Sequence, residues 1–397
     1  MRLSKKYTPE KVSSICGVTV EQLERAAKYI GSVSNVSFVY AMGITQHKNG
    51  CDTVKSVANL ALLTGNVGKE RSGVNPLRGQ NNVQGSCDMG ALPNVLPGYM
   101  SVTDKNVRRL FEVVWGVDKL PEKPGIEASL LTHQIEAGNI KALYIMGENP
   151  AITDANLTSF TKALESLEFI VVQDIFMSDT AKYANLVLPA ASSFESCGTY
   201  TNTERRVQLV RKVLEPVGNS RPDWMILSDL MRHFSINAHY SSPEDIFNEI
   251  RSLVPQYRGI TYNRLRKGGI QWPCPSEDHP GTKFLYKDRF STETGKAKFS
   301  PTSQPSYKED FEGFEYTLTT GRVLYHYHTG TMTRRSYALD KLVPEGYVCI
   351  NPEDAREIGL NEGEKNKTKI KSWRTYCSCK DNRYGPQKGC VFYLSFL

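Results

Sequence analysis

Short, nearly unbroken apolar runs that end on glycine or an amide and give way to helical sequence constrain this chain more than any other feature. Residues 35–42 (Asn-Val-Ser-Phe-Val-Tyr-Ala-Met) run into Gly43, and Asp52 to Leu63 then reads as a helix closed by Gly65. The pattern returns in Ala142 to Met146, which ends in Gly147-Glu148-Asn149-Pro150, and in Phe169 to Val172, which ends in Gln173-Asp174; a helix from Asn156 to Leu167 lies between them. Strands that are apolar along their whole length are buried on both faces, which calls for a parallel sheet covered by helices. Such sheets place ligands at the carboxyl ends of their strands, where Gly43, Gly147 and Gln173 sit. Taken singly, each strand-end glycine also reads as a residue that merely turns the chain.

Around these units the pattern is less regular. Thr8-Pro9-Glu10 and the pair Thr19 and Gln22 predict two opening helices, the second stopped by Gly31. Arg221 to Arg251 reads as helical, and Gly259 to Tyr307, rich in Pro, Gly, Ser and Lys, as linker. Tyr316 to Thr319, Gly346 to Ile350 and Lys367 to Ile370 read as short strands of a mostly β domain. A length of 397 residues exceeds one ordinary core, and 40% hydrophobic with 23% charged residues is a globular balance.

The net charge of +7 is partly local, because Lys365 to Lys388 is strongly basic. It comes with no nucleic-acid motif and suits an anionic cofactor or substrate equally well. The nine cysteines are mostly isolated and read as free thiols of a reducing, cytoplasmic compartment. Cys377-Ser-Cys379 has the wrong spacing for a zinc or iron–sulfur site, so no metal ligand is assigned. No apolar run reaches the roughly 18 residues of a membrane span.

Asn75 to Gly90 (Asn-Pro-Leu-Arg-Gly-Gln-Asn-Asn-Val-Gln-Gly-Ser-Cys-Asp-Met-Gly) is dense in amides and glycine around Arg78. Amides offer matched donors and acceptors, glycine lets backbone approach a ligand, and a guanidinium is a planar fork for a carboxylate or phosphate. The stretch reads as a site for something polar, flat and anionic, or as a polar surface turn.

The strings Tyr40-Ala-Met-Gly-Ile-Thr-Gln46, Leu63-Thr-Gly-Asn-Val-Gly-Lys69, Gly73 to Gly90, Tyr144-Ile-Met-Gly-Glu-Asn-Pro150 and Val172-Gln-Asp-Ile-Phe-Met177 occur in that order. They continue through Ala190 to Arg206 and Gly321 to Arg335. In this the chain resembles the catalytic subunit of molybdopterin-dependent formate dehydrogenases over roughly residues 5 to 370. The resemblance implies oxidation of formate to carbon dioxide at a molybdenum or tungsten ion held by two molybdopterin guanine dinucleotides. Arg78 would orient the formate carboxylate beside the metal, and Gln80 would sit against the pterins. Gly43, Gln46, Gly147, Glu148, Asn149, Gln173, Asp174 and Thr180 would line the dinucleotide sites, Asp174 accepting from the N1 and N2 edge of guanine. Arg322, His326, His328, Thr331 and Thr333 would bind pterin and phosphate. Without the family, His326 and His328, alternating on a strand, read as a two-His metal fragment or as cross-strand packing.

The fold implied is α/β: two incomplete Rossmann-like parallel-sheet domains followed by part of a C-terminal β-barrel. Residues 1–79 would end one molybdopterin-binding α/β domain, and 80–190 would form a second, dinucleotide-binding one. Residues 191–222 would pack against an iron–sulfur domain, 223–307 would be a helical segment and linker, and 308–397 a truncated barrel. Members of the family carry a four-cysteine motif for a 4Fe-4S cluster and a cysteine or selenocysteine metal ligand ahead of the segment matched by Tyr7-Thr8-Pro9-Glu10. The expected partners are therefore that N-terminal portion and an electron-transfer subunit, and this chain alone is expected to be inactive. Cys87 reads as structural. After Ile370 the sequence departs from the family, with a Cys, Trp, Tyr and Arg enrichment of the kind a shifted reading frame produces. A non-catalytic remnant, or another molybdopterin oxidoreductase such as a nitrate reductase, is the competing reading.

Overall fold

A computed structural model describes residues 7–47, 49–154, 156–236, 239–302, 316–369, 374–381 and 390–394. The chain divides into two compact units: Met1–Glu127, Ala191–Val217 and Arg221–Ser306 form the first, and Ala128–Ala190, Gly218–Ser220 and Tyr307–Leu397 the second.

The first unit opens with helices Pro9–Cys16 and Val20–Ser32. Thr19 Oγ1 accepts from the Gln22 N–H at 3.2 Å and Gln22 Oε1 accepts from the Thr19 N–H at 2.9 Å, a complete capping box. The second helix ends at Ser32, one residue past Gly31. Strand Ser37–Tyr40 pairs in parallel with Gly73–Pro76, Tyr40 opposite Pro76, and helix Gly50–Leu63 makes the crossover. Gly65 closes that helix at φ +66°, its N–H donating to Leu62 O at 3.1 Å.

The core of this unit gathers Phe111, Val207, Phe247, Leu253, Val254, Tyr257, Ile260, Leu265, Ile270 and Cys274. Its last four members correct the linker reading of residues 259–307 over its first part, 260–274, since Ile260 and Cys274 are fully buried. The Pro and Gly content marks turns around short packed pieces, Tyr262–Leu265 and Ile270–Gln271, too brief to leave a periodic pattern. The helical stretch after Arg221 is two helices, Asp223–His233 and Pro243–Leu253, the second opened by a Ser242–Asp245 capping box.

In the second unit, strands Ala142–Met146, Phe169–Asp174 and Leu186–Pro189 form a parallel sheet in that order. Helix Leu157–Glu165 links the first two, with Asn156 as its cap. Ile145, Phe160, Leu164, Ile170 and Val172 make its core. Parallel strands joined by helices are what the apolar runs predict; the third strand adds to them, Leu-Val-Leu-Pro being too short to stand out as a run.

Where the sequence predicts part of a barrel, the described residues form one five-stranded mixed sheet in the order Thr317–Gly321, Cys390–Leu394, Tyr347–Ile350, Arg374–Asp381, Lys365–Lys369. The compositionally divergent tail thus contributes two strands, while residues 370–373, 382–389 and 395–397 of it lie outside the described residues. Among the described residues no helix is long and apolar enough to cross a membrane.

Candidate functional site

Arg78 emerges two residues beyond the carboxyl end of strand Gly73–Pro76. The Leu77 N–H donates to Tyr40 O at 2.7 Å, so the chain leaves the sheet beside the end of the neighbouring strand. Arg78 and Gln80 are both exposed. The Arg78 N–H donates to Thr203 Oγ1 at 3.3 Å and its Nε–H to Gln84 Oε1 at 3.4 Å. Burial raises the Tyr40 phenol, and the charge of Arg78 nearby opposes that rise. Gly43 and Gln46 occupy the turn after the other strand, in and just past the short helix Met42–Thr45, and both are exposed.

Behind Arg78 lies a polar cluster that sequence reasoning did not find. Asp88, 1% exposed, accepts through Oδ1 from Gln84 Nε2 at 2.7 Å and Tyr99 OH at 2.9 Å. Its Oδ2 accepts from Tyr257 OH at 2.5 Å and Trp272 Nε1 at 2.7 Å. Gln84 Nε2 also donates to Tyr99 OH at 2.9 Å. A buried carboxylate needs its oxygens hydrogen-bonded, and here neutral donors fill both. Burial and the Asp88 charge push the Tyr99 and Tyr257 phenols far above their ordinary value, so both remain donors at any working pH. Tyr99 reaches Asp88 from a left-handed backbone, φ +60°. Tyr257 and Trp272 are far from Asp88 in sequence, and no local signal could have joined them.

The short helix Val83–Asp88 that carries Gln84 and Asp88 is closely packed at Gly85. A Cβ on Gly85 would collide with Asn82 Oδ1, an atom that accepts from the Thr201 N–H at 2.9 Å. Gly85→Ala is expected to cost about 1–3 kcal/mol by overpacking. Denaturant unfolding with an unchanged midpoint would contradict this.

In the second unit, Asn149 is the junction. Its Oδ1 accepts from the Thr180 N–H at 2.9 Å and from Thr180 Oγ1 at 2.8 Å, and its Nδ2 donates to Thr331 Oγ1 at 3.0 Å. Thr180 Oγ1 in turn accepts from the Ala151 N–H at 3.0 Å. The loop around Thr331 is held further by Arg335, which donates to Met177 O at 3.1 Å and lies 4.3 Å over the Phe176 ring. Three residues singled out from sequence, Asn149, Thr180 and Thr331, are therefore brought into direct contact, at the carboxyl ends of the parallel strands.

The others are placed around them. Gly147, at φ +63°, and Glu148 are exposed, and no atom lies within 4 Å of where a Gly147 Cβ would be. Asp174 is half-buried, its Oδ1 accepting from the Phe176 N–H at 3.3 Å. Gln173 is fully buried and its amide oxygen accepts from Tyr144 OH. Asp179, missed from sequence, bonds Lys182 at 2.7 Å, and that bond holds its carboxyl below the usual range.

His326 and His328 do not alternate on a strand. They lie in the loop after Thr317–Gly321, with His328 at φ +49°, so neither the metal-fragment nor the cross-strand reading applies as drawn. His326 is buried, its Nε2 2.9 Å from Val343 O and its Nδ1 3.0 Å from Thr333 Oγ1. A carbonyl only accepts, so Nε2 carries the proton. Arg322 Nη2 lies 3.4 Å from His328 Nδ1, and burial and that guanidinium lower the His328 imidazole below its ordinary value.

Polar and charged residues thus stand at the ends of parallel strands in each unit, around Arg78 in the first and around Asn149, Thr180 and Thr331 in the second. The chain belongs to the molybdopterin oxidoreductase family: residues 8–233 match Molybdopterin oxidoreductase and 316–367 match Molydopterin dinucleotide binding domain. It is 50% identical over 367 residues to F420-dependent formate dehydrogenase subunit alpha of Methanocaldococcus jannaschii, covering 91% of this chain and 53% of that protein. To formate dehydrogenase H of Escherichia coli it is 41% identical over 361 residues, covering 90% and 50%. The chain thus spans about half the length of the curated relatives it matches. The solved structure of acetylene hydratase from Pelobacter acetylenicus superposes with a TM-score of 0.71 at 16% identity, over 98% of this chain and 57% of that one, a likeness of fold alone. Among the described residues no group of three or more His, Cys, Asp and Glu side chains could hold a metal ion.

Proposed function

We propose that this chain is the cofactor-binding and substrate-orienting part of a formate dehydrogenase catalytic subunit, with a molybdenum or tungsten ion on two molybdopterin guanine dinucleotides. The observation that carries the reading is Arg78, an exposed guanidinium just past the end of a parallel strand, bonded to the Gln84 amide and followed in sequence by Gln80, Asn81 and Asn82. The residues present suit the cofactor. Asp174 offers a carboxylate for a guanine edge, Arg322 and His328 offer donors for phosphate, and the space beside Gly147 is open. The metal would take up the two electrons released as formate becomes carbon dioxide and a proton. Arg78 would pair with both carboxylate oxygens, fixing the direction of the C–H bond and favouring formate over neutral one-carbon molecules. The thiolate that ligates the metal, the 4Fe-4S cluster and an electron-transfer subunit belong to the same proposal, and no residue of this chain is assigned to them.

The cofactor part is tested by releasing bound nucleotide from the purified protein with acid. Guanosine monophosphate in stoichiometric amount, reduced in Asp174→Ala by the share of the one dinucleotide that residue would hold, is expected; nucleotide-free protein from cells that make the cofactor would overturn the reading.

A pH experiment addresses the phosphate donors. In the ligand-free protein His328 resists protonation, so its folded-state pKa lies below the unfolded one, and its contribution to stability is present above the ordinary histidine range and lost as pH falls through it. A bound phosphate against Arg322 and His328 favours the imidazolium. The His328 NMR titration is expected to move upward on binding, and an unmoved midpoint would remove phosphate from this corner.

A further inference from the structure

We infer that Asp88, acting through Gln84, is a positioning device for Arg78: it fixes the guanidinium by its Nε edge and reserves the Nη1–Nη2 edge for an oxyanion. That the oxyanion is a carboxylate rests on the formate reading; the positioning does not.

Donor and acceptor parity fixes the amide. Trp272 Nε1 is a donor only, and it and Tyr257 OH occupy Asp88 Oδ2 at 2.7 and 2.5 Å. Oδ1, at 2.7 Å from Gln84, accepts only from the NH2 end of that amide. A side-chain amide has two ends, so committing Nε2 inward turns Oε1 outward, 3.4 Å from Arg78 Nε. Tyr99 closes the triangle, accepting from Gln84 Nε2 and donating to Asp88 Oδ1, both at 2.9 Å. An amide otherwise free to flip is thereby locked with its acceptor towards the cation. A guanidinium presents two bidentate edges, one containing Nε and one made of both Nη groups. With Nε engaged from behind and the backbone N–H held by Thr203, the other edge faces outward.

Gln84 and Asp88 touch no substrate in this scheme, so the test needs a readout that mere loss of stability would not reproduce. In the full chain labelled with 15N-arginine, the Arg78 Nε–H signal is identified by its absence in Arg78→Lys. Its exchange with solvent is expected to be about tenfold slower than that of free arginine, the protection of one hydrogen bond to a charged group. Asp88→Asn sets an NH2 against the Gln84 NH2, flips that amide and abolishes the protection. The double variant Gln84→Glu, Asp88→Asn restores it with polarity exchanged: the introduced amide at position 88 donates to the introduced carboxylate at position 84, Tyr99 OH reverses, and that carboxylate accepts from Arg78. If Asp88→Asn fails to fold, Gln84→Met leaves Asp88 its three other donors and is expected to lose the protection alone.

Unprotected Nε–H in the native chain, protection retained in Gln84→Met, or a double variant no better than Asp88→Asn would overturn the proposal. Formate titrated into the native sample separates the two readings. Protected Nε–H with Arg78 signals unmoved by saturating formate would sink the formate assignment and leave the positioning standing.

Discussion

Arg78→Ala is expected to lower kcat/KM for formate about a thousandfold in the assembled, cofactor-loaded enzyme, the loss that follows when a fixed donor to developing or bound negative charge is removed. On the proposed reading the guanidinium would supply two parallel charge-assisted bonds to the carboxylate, while Gln84 holds its Nε–H and Thr203 its backbone N–H. Arg78→Lys keeps the charge and loses the fork, so a roughly hundredfold deficit is expected to remain. Guanine nucleotide content, measured alongside, should equal that of the native protein, because Arg78 is proposed to take the carboxylate and Asp174 the guanine. Near-native formate-dependent dye reduction by Arg78→Ala would remove substrate orientation from this residue altogether.

Phe160→Ala is expected to destabilise the second unit by about 3–5 kcal/mol, the transfer and cavity cost of deleting a buried aromatic ring. Phe160 is 1% exposed and packs with Ile145, Leu164, Ile170 and Val172 under the parallel sheet. Close packing leaves these neighbours little room to collapse into the gap. Ala151 and Ala181 belong to the same cluster and flank Asn149 and Thr180, so the cavity also loosens the junction that holds Thr331. Denaturant unfolding should show the shift, and released guanine nucleotide should fall with it. A midpoint within about 1 kcal/mol of the native value would mean that the site does not rest on this core.

How much is legible in the chain depends on the range of the interaction. Thr19 with Gln22 and Asn156 before its helix act within one turn, and the structure places both as caps. The runs at residues 142–146 and 169–172 announce parallel strands, which the structure forms, extending the second through Asp174; only the second is buried along its length, from Ile170 to Gln173, since Ala142, Tyr144 and Met146 of the first are exposed. Residues 260–274 mislead because turn-forming composition is shared by linkers and by short pieces packed in a core. The histidines at 326 and 328 alternate in sequence, yet they sit in a loop whose shape is set by Thr333, Val343 and Arg322.

The sequence by itself determined the class of fold, the family, and the presence of Arg78, Asn149, Thr180 and Thr331 at chemically suitable positions. Those are matters of local pattern and residue type. Only the tertiary structure decided that Asn149 joins Thr180 to Thr331 across 182 positions of sequence, and that Asp88 collects Tyr257 and Trp272 from 169 and 184 positions away. A buried carboxylate must find its donors wherever the fold brings them, and nothing local records which they are. The charge of Arg78 is written in its residue type; the direction of its fork is a property of residues that became its neighbours on folding.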